Sequence, residues 1–100
     1  MNPNQMRQLQ KLQAEMQKAQ ADIQNATAEG TAGGGVVTVA ITGDFSVTKV
    51  TLKPEVVDPD DVETLEDLLV VAFADAHKKI EEFAAQRMSA ATGGLRIPGM

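Results

Sequence analysis

The sequence predicts a two-layer α+β fold: a long first helix, an antiparallel β-meander and a second long helix. Three observations predict it. Apolar residues recur in heptads through the first 29 residues, alternate with polar ones from Val36 to Lys53, and return to helical spacing after Asp58. A chain of 100 residues makes a single domain, 1–100. A domain this small buries a limited share of its surface, so a partner interface adds needed burial.

The first element covers Met1 to Glu29. Leu9, Leu12, Met16, Ala19, Ile23 and Ala26 follow one another at spacings of 3, 4, 3, 4 and 3, the a and d positions of a seam that meets a partner helix. Asn2 suits the N-cap and Pro3 the first helical position. The helix should be about 39 Å long at 1.5 Å per residue, and it overhangs a globule whose radius of gyration is about 13 Å. Such a seam implies a second chain. Leu9, Leu12, Met16, Ala19 and Ile23 are therefore the expected dimer interface.

Residues 30–57 carry the meander. Gly30 breaks the helix, and Gly33-Gly34-Gly35 supply a flexible hairpin connection. A phosphate cradle would need a strand before the glycines, a helix after them and a terminal Lys-Ser/Thr. Here a strand follows and no lysine is near. Val37, Val39 and Ile41 alternate with Thr38, Ala40 and Thr42, as a half-buried strand does. Gly43-Asp44 marks a turn. In the next strand, Phe45 to Lys53, Val50 and Leu52 oppose Lys49, Thr51 and Lys53. Thr27 to Ala32 is weak strand material that could pair through the glycine loop and complete three strands, which are more stable than two.

Residues 58–92 form the second helix. Asp58 is the expected N-cap, with Pro59 behind it and Asp60, Asp61 and Glu63 in the first turn, where the helix dipole favours acids. Val62, Leu65, Leu69, Ala72, Phe73, Ala76, Ile80, Phe83 and Ala84 make a broad stripe suited to lying on a sheet. The helix should reach about Ala91, and Gly93-Gly94 stops it. Residues 93–100 are an apolar tail.

Composition narrows the chemistry. The net charge is −5, and residues 58–88 hold nine acids against three bases. A uniformly basic nucleic-acid binder is excluded; a local basic patch is not. Cysteine is absent, which removes disulfides and thiolate ligands and suits a reducing cytoplasm. The polar N-terminus does not resemble a signal peptide, and no apolar run is long enough for a membrane span. The lone His77 has no cysteine or second histidine with which to hold a metal or activate a nucleophile. Counted from Asp58, a calcium loop would need Gly and Glu where Glu63 and Leu69 stand. No enzyme activity, cofactor or metal is expected.

The bases of the first helix stand out. At 100° per residue, Lys11 lies about 40° and Lys18 about 20° around the axis from Arg7. Glu15, Asp22 and Glu29 instead border the seam. Two readings fit. One is a solvated face with Lys11–Glu15 and Lys18–Asp22 pairs. The other is a stripe that meets a polyanion, doubled in a dimer.

The whole chain resembles the YbaB/EbfC family of bacterial nucleoid-associated proteins. The likeness rests on the Gln/Met-rich first helix, then Gly35-x-Val37-x-Val39-x-Ile41-x-Gly43 and Val50-x-Leu52-x-Pro54. It continues through Leu65-Glu66-Asp67-Leu68, Ala72-Phe73-Ala74-Asp75-Ala76, Lys79 and Met88 to Gly93-Gly94-Leu95-x-Ile97-Pro98-Gly99-Met100. The family often carries Asn at the position of Ala74. The resemblance implies an α-β-β-β-α, tweezer-like homodimer that binds double-stranded DNA in the nucleoid, without catalysis, and serves nucleoid organisation and gene regulation. It places DNA contact on the terminal helical regions, where the bases are Arg7, Lys11, Lys18, Arg87 and Arg96. The alternative function is an adaptor whose helices bind recombination or replication proteins.

Overall fold

The computed structural model describes residues 2–93. The expected helix start at Met1, the tail from Gly94 onward and Arg96 lie outside the described residues. Helix α1 (Pro3–Asn25) leads into strands β1 (Thr27–Ala32), β2 (Val37–Thr42) and β3 (Val47–Leu52); a single 3-10 turn, Pro54–Val56, precedes helix α2 (Val62–Ala91). The sheet is antiparallel with order β1-β2-β3.

A reciprocal cap opens α1. The Asn2 side chain accepts the Gln5 N–H at 2.8 Å, and the Gln5 side chain accepts the Asn2 N–H at 3.3 Å, which satisfies two otherwise orphaned donors. The helix stops at Asn25, short of the expected Glu29, because Thr27 already pairs with Thr42 and the ladder runs on to Ala32–Val37. The weak strand material is thus recruited by its neighbour. Gly30 is a strand residue, not a helix breaker. Gly43 locks the helix end to the sheet. Its N–H donates to the Ala26 carbonyl at 3.0 Å, and a Cβ there would collide with the Ile23 carbonyl.

The core lies between α2 and the first two strands. Val37, Val39 and Ile41 of β2 are enclosed against Ala72, Ala76 and Ile80, with Ala32 of β1 beside them. Small residues set the spacing. A Cβ on Gly30 would overlap the Ala72 carbonyl oxygen and the Ala76 nitrogen, so α2 sits directly on β1.

Side chains of α2 then occupy the outer edge of β1. The Asp75 carboxylate accepts the Thr31 N–H at 3.0 Å. Lys79 donates to the Glu29 carbonyl at 2.8 Å and pairs with Asp75 at 3.1 Å. An open strand edge is an invitation to pair with another chain, and the bonds to Thr31 and Glu29 occupy the middle of this one.

Most of strand β3 falls beyond the footprint of α2, and only its last residue, Leu52, packs against the core. A bulge between Ala40 and Ile41 shifts its register, so that Val50 opposes Val39 and Val47 opposes Ile41. Opposed residues share a face of the sheet, yet Val47 and Val50 are exposed. Hydrogen bonds among Thr42, Asp44 and Ser46 tie the turn before β3. Asp44 accepts hydrogen bonds from the Thr42 hydroxyl and the Ser46 N–H, which hold its carboxyl below the ordinary carboxylate range. Phe45 takes φ 63°, and its ring stacks on His77 at 4.4 Å between centroids.

Helix α2 starts three residues later than its sequence suggests. Asp61, not Asp58, is the N-cap, with its side chain accepting the Thr64 N–H at 3.4 Å. Asp58 instead binds the Asp60 N–H at 2.9 Å and closes a turn, so Pro59 precedes the helix. The apolar stripe is also narrower than its pattern: Val62, Phe73 and Phe83 remain exposed. The helix presses Ala72, Ala76 and Ile80 onto the sheet with Leu65, Leu68 and Leu69 packed beside them, and Val62, Phe73 and Phe83 stay outside that contact.

Two outcomes are expected. Gly30→Ala should cost about 1–3 kcal/mol by forcing α2 off β1, lowering the thermal midpoint seen by circular dichroism; an unchanged midpoint would refute the tight contact. The Asp75 carboxyl is held below its ordinary value chiefly by the Thr31 N–H and then by Lys79. A lowered folded value means that its stabilisation is complete above the ordinary carboxylate range and is lost as pH falls through the folded value. In urea titrations the deficit of Asp75→Asn should therefore be widest near neutrality and close in strong acid. A deficit that does not vary with pH would show that the carboxylate charge is not involved.

Candidate nucleic-acid interface

Helices α1 and α2 run antiparallel. Arg87 Nη2 and Nε meet Asp22 Oδ2 at 2.8 and 3.0 Å, while Leu9 and Leu12 line a groove with Ala91, Thr92 and Gly93. The end of α2 thus lies alongside the middle of α1, and the first half of α1 projects past it. The molecule measures 70 × 28 × 16 Å with a radius of gyration of 19.4 Å, far above the roughly 13 Å of a compact chain this long.

Arg7, Lys11 and Lys18 stand on the projecting helix, and all three are exposed. Among the described residues they enter none of the ion pairs, which join His77–Glu81, Lys79–Asp75 and Arg87–Asp22. The Lys11–Glu15 and Lys18–Asp22 pairs of a solvated face do not form. Arg87 took the Asp22 partner instead. Its side chain is only 23% exposed, and it ties the two helices together rather than facing outward. Sequence spacing gives no sign of this pair, because its members are 65 residues apart.

Six of the fourteen acids sit far from the start of α1. Asp58 to Asp67 cluster at the start of α2, about 44 Å along that helix from Ala91, and the basic arm extends beyond Ala91. Charges in water interact little beyond a Debye length of about 10 Å. From Asn2 to Lys18, three bases face one acid, Glu15. Locally the arm is cationic although the chain is acidic.

The seam divides between uses. Ala19 is fully enclosed within the protomer, Leu12, Met16 and Ile23 are half-buried, and Leu9 is 46% exposed. The partner helix that Ala19 meets is the chain's own α2. A second apolar surface carries no periodic signature. Phe45, Val47 and Val50 on the β3 side and Phe73 on α2 are all exposed. Phe73 is one turn before His77, whose ring rests on Phe45, so the four border one flank.

Among the described residues, no cluster of His, Asp or Glu side chains is arranged to hold a metal ion, and no helix is long and apolar enough to cross a membrane.

Comparison with known proteins agrees with this architecture. The family model described as the YbaB/EbfC DNA-binding family matches residues 1–95. A nucleoid-associated protein of Roseiflexus sp. (strain RS-1) is 50% identical over 100 residues, covering 99% of each chain. One from Chloroflexus aurantiacus (strain J-10-fl) is 50% identical over 97 residues, covering 96% of this chain and 97% of that one. One from Desulforamulus reducens is 50% identical over 95 residues, covering 95% and 90%. Among solved structures, an uncharacterized protein, HP0035 from Helicobacter pylori, superposes with a TM-score of 0.67 at 21% identity over 86% of this chain and 91% of that one. At that identity the likeness concerns the fold alone.

Proposed function

Because the chain belongs to the YbaB/EbfC DNA-binding family, a family of nucleoid-associated proteins rather than of enzymes, we propose that its cationic α1 arm binds the phosphate backbone of duplex DNA. The observation that carries this reading is the local excess of cations: Arg7, Lys11 and Lys18 are exposed on α1 with Glu15 as the one acid among them, while six acids from Asp58 to Asp67 lie at the far end of α2. Backbone contact positions a protein on DNA without reading sequence, and the projecting arm offers no pair of helices in a helix-turn-helix arrangement. The names of the Roseiflexus and Chloroflexus relatives support a place on the nucleoid and a role in its organisation. Arg87, held by Asp22, serves the fold more than the DNA.

The reading includes a homodimer that carries two arms in tweezer fashion. The flank of Phe45, Val47, Val50 and Phe73 is favoured as its body over the α1 seam. That flank is exposed in the protomer, whereas Ala19 has no surface left to offer. A contiguous apolar patch rimmed by polar residues is a common mark of association.

Three bases per arm make six phosphate contacts per dimer, so log K should fall against log salt with a slope of about −5. Changing Lys11 to Gln should reduce that slope by about 2, one contact per arm. A slope near zero, or one that the substitution leaves alone, would refute the arm as the DNA contact. For assembly, Val50→Asp should give a folded monomer by light scattering at micromolar concentration, while Leu9→Asp should stay dimeric. The reverse pattern would return the interface to the α1 seam.

A further inference from the structure

An open groove of about 610 Å³ runs between the first half of α1 and the end of α2. Leu9 and Leu12 line it from α1, with Lys11 and Glu15 beside them, and Ala91 and Gly93 line it from the end of α2 and just past it. Apolar atoms dominate it. The sheet does not account for it, the two charges at its border do not fill its apolar centre, and α2 ends at Ala91, just where the seam would need it to continue.

We propose that this groove is the docking site of the chain's own segment 94–100, with Leu95 and Ile97 as the anchors. Gly93 is itself part of the groove wall, so the segment begins at the site. Gly93 also takes φ +62°, a left-handed turn that redirects the chain as the helix ends. The seven residues reach about 23 Å when extended. The uncovered stretch of α1, from Glu15 back to Pro3, is about 18 Å long. Length and starting point therefore match the groove.

The order of side chains matches it too. Pro98 biases Ile97 toward extended backbone. In an extended strip Leu95 and Ile97 fall on one face and Arg96 on the other. Such a strip sets two branched apolar side chains into a two-helix groove and leaves its cation in water. Docked, it covers Leu9 and Leu12 and continues the seam where α2 leaves off. The segment then acts as a strap that braces the first half of the arm.

The chain has no cysteine, so a nitroxide can be placed on Arg96→Cys alone, on the side facing away from the groove. Methyl NMR of that full chain, isotope-labelled and diluted tenfold into unlabelled protein, reads its own strap. Leu9 and Leu12 signals should broaden, and Val62, at the far end of α2, should not. Adding Leu95→Ser with Ile97→Ser should reduce the broadening at least threefold, because the segment is then tethered but not anchored. The proposal is overturned if Leu9 and Leu12 do not broaden. It is equally overturned if the serine pair changes nothing, or if broadening arises only when nitroxide and isotope are on different chains, which would make the occupant a second copy. No DNA is present, so the result is independent of the DNA reading.

Discussion

The contact of α2 with β1 at Gly30 is the constraint on which the rest of the molecule hangs. With no side chain at Gly30 and only methyl groups at Ala72 and Ala76, helix and strand backbones come closer than any larger residue permits. That closeness brings Asp75 and Lys79 within reach of the Thr31 N–H and the Glu29 carbonyl. It also fixes α2 over β1 and β2, where it encloses Val37, Val39 and Ile41. One helix of limited width cannot also cover the third strand. The side-chain bonds at the β1 edge and the exposure of Val47 and Val50 on β3 are two results of the same placement.

From that placement follows the polarity of the molecule. The line of α2 across the sheet sends its C-terminus toward α1, where Arg87 takes Asp22 and binds the helices side by side. The first half of α1 is then left beyond the end of α2, with Arg7 and Lys11 in water. The acids that begin α2 cap and solvate its opposite end. A chain with a sequence pI of about 4.7 thus presents a cationic arm, because screening in water makes local charge, not net charge, what a phosphate meets. An acidic chain can in this way carry a locally cationic surface.

Much of the fold was legible in residue order. Asn2-Pro3 marked the start of α1, the alternation of Val37, Val39 and Ile41 marked β2, and the stripe from Leu65 to Ile80 marked α2. These signals are local: caps and periodicities are set by neighbours within a few residues. Thr27 to Ala32 was weaker, for Thr-Ala-Glu-Gly-Thr-Ala has little strand propensity of its own and becomes β1 only by pairing with β2. The candidate site divided likewise. The exposure of Arg7, Lys11 and Lys18 was readable from helical spacing, but the place of Lys11 beside the groove of Leu9 and Leu12 was not. The capture of Arg87 by Asp22 was not, since it depends on which way two distant helices cross.

The sequence by itself determined the elements, their order and the two faces of α1, because hydrogen-bond geometry and side-chain periodicity act over one or two turns of chain. Only the tertiary structure decided that Ala19 meets the chain's own α2, that Gly30 is a contact point rather than a breaker, and that Val47, Val50 and Phe73 stay uncovered. Those outcomes rest on where an approximately 10 Å-wide helix settles on a three-stranded sheet. That is a question of volume and close approach between residues about 30 and more positions apart, and no local pattern encodes it.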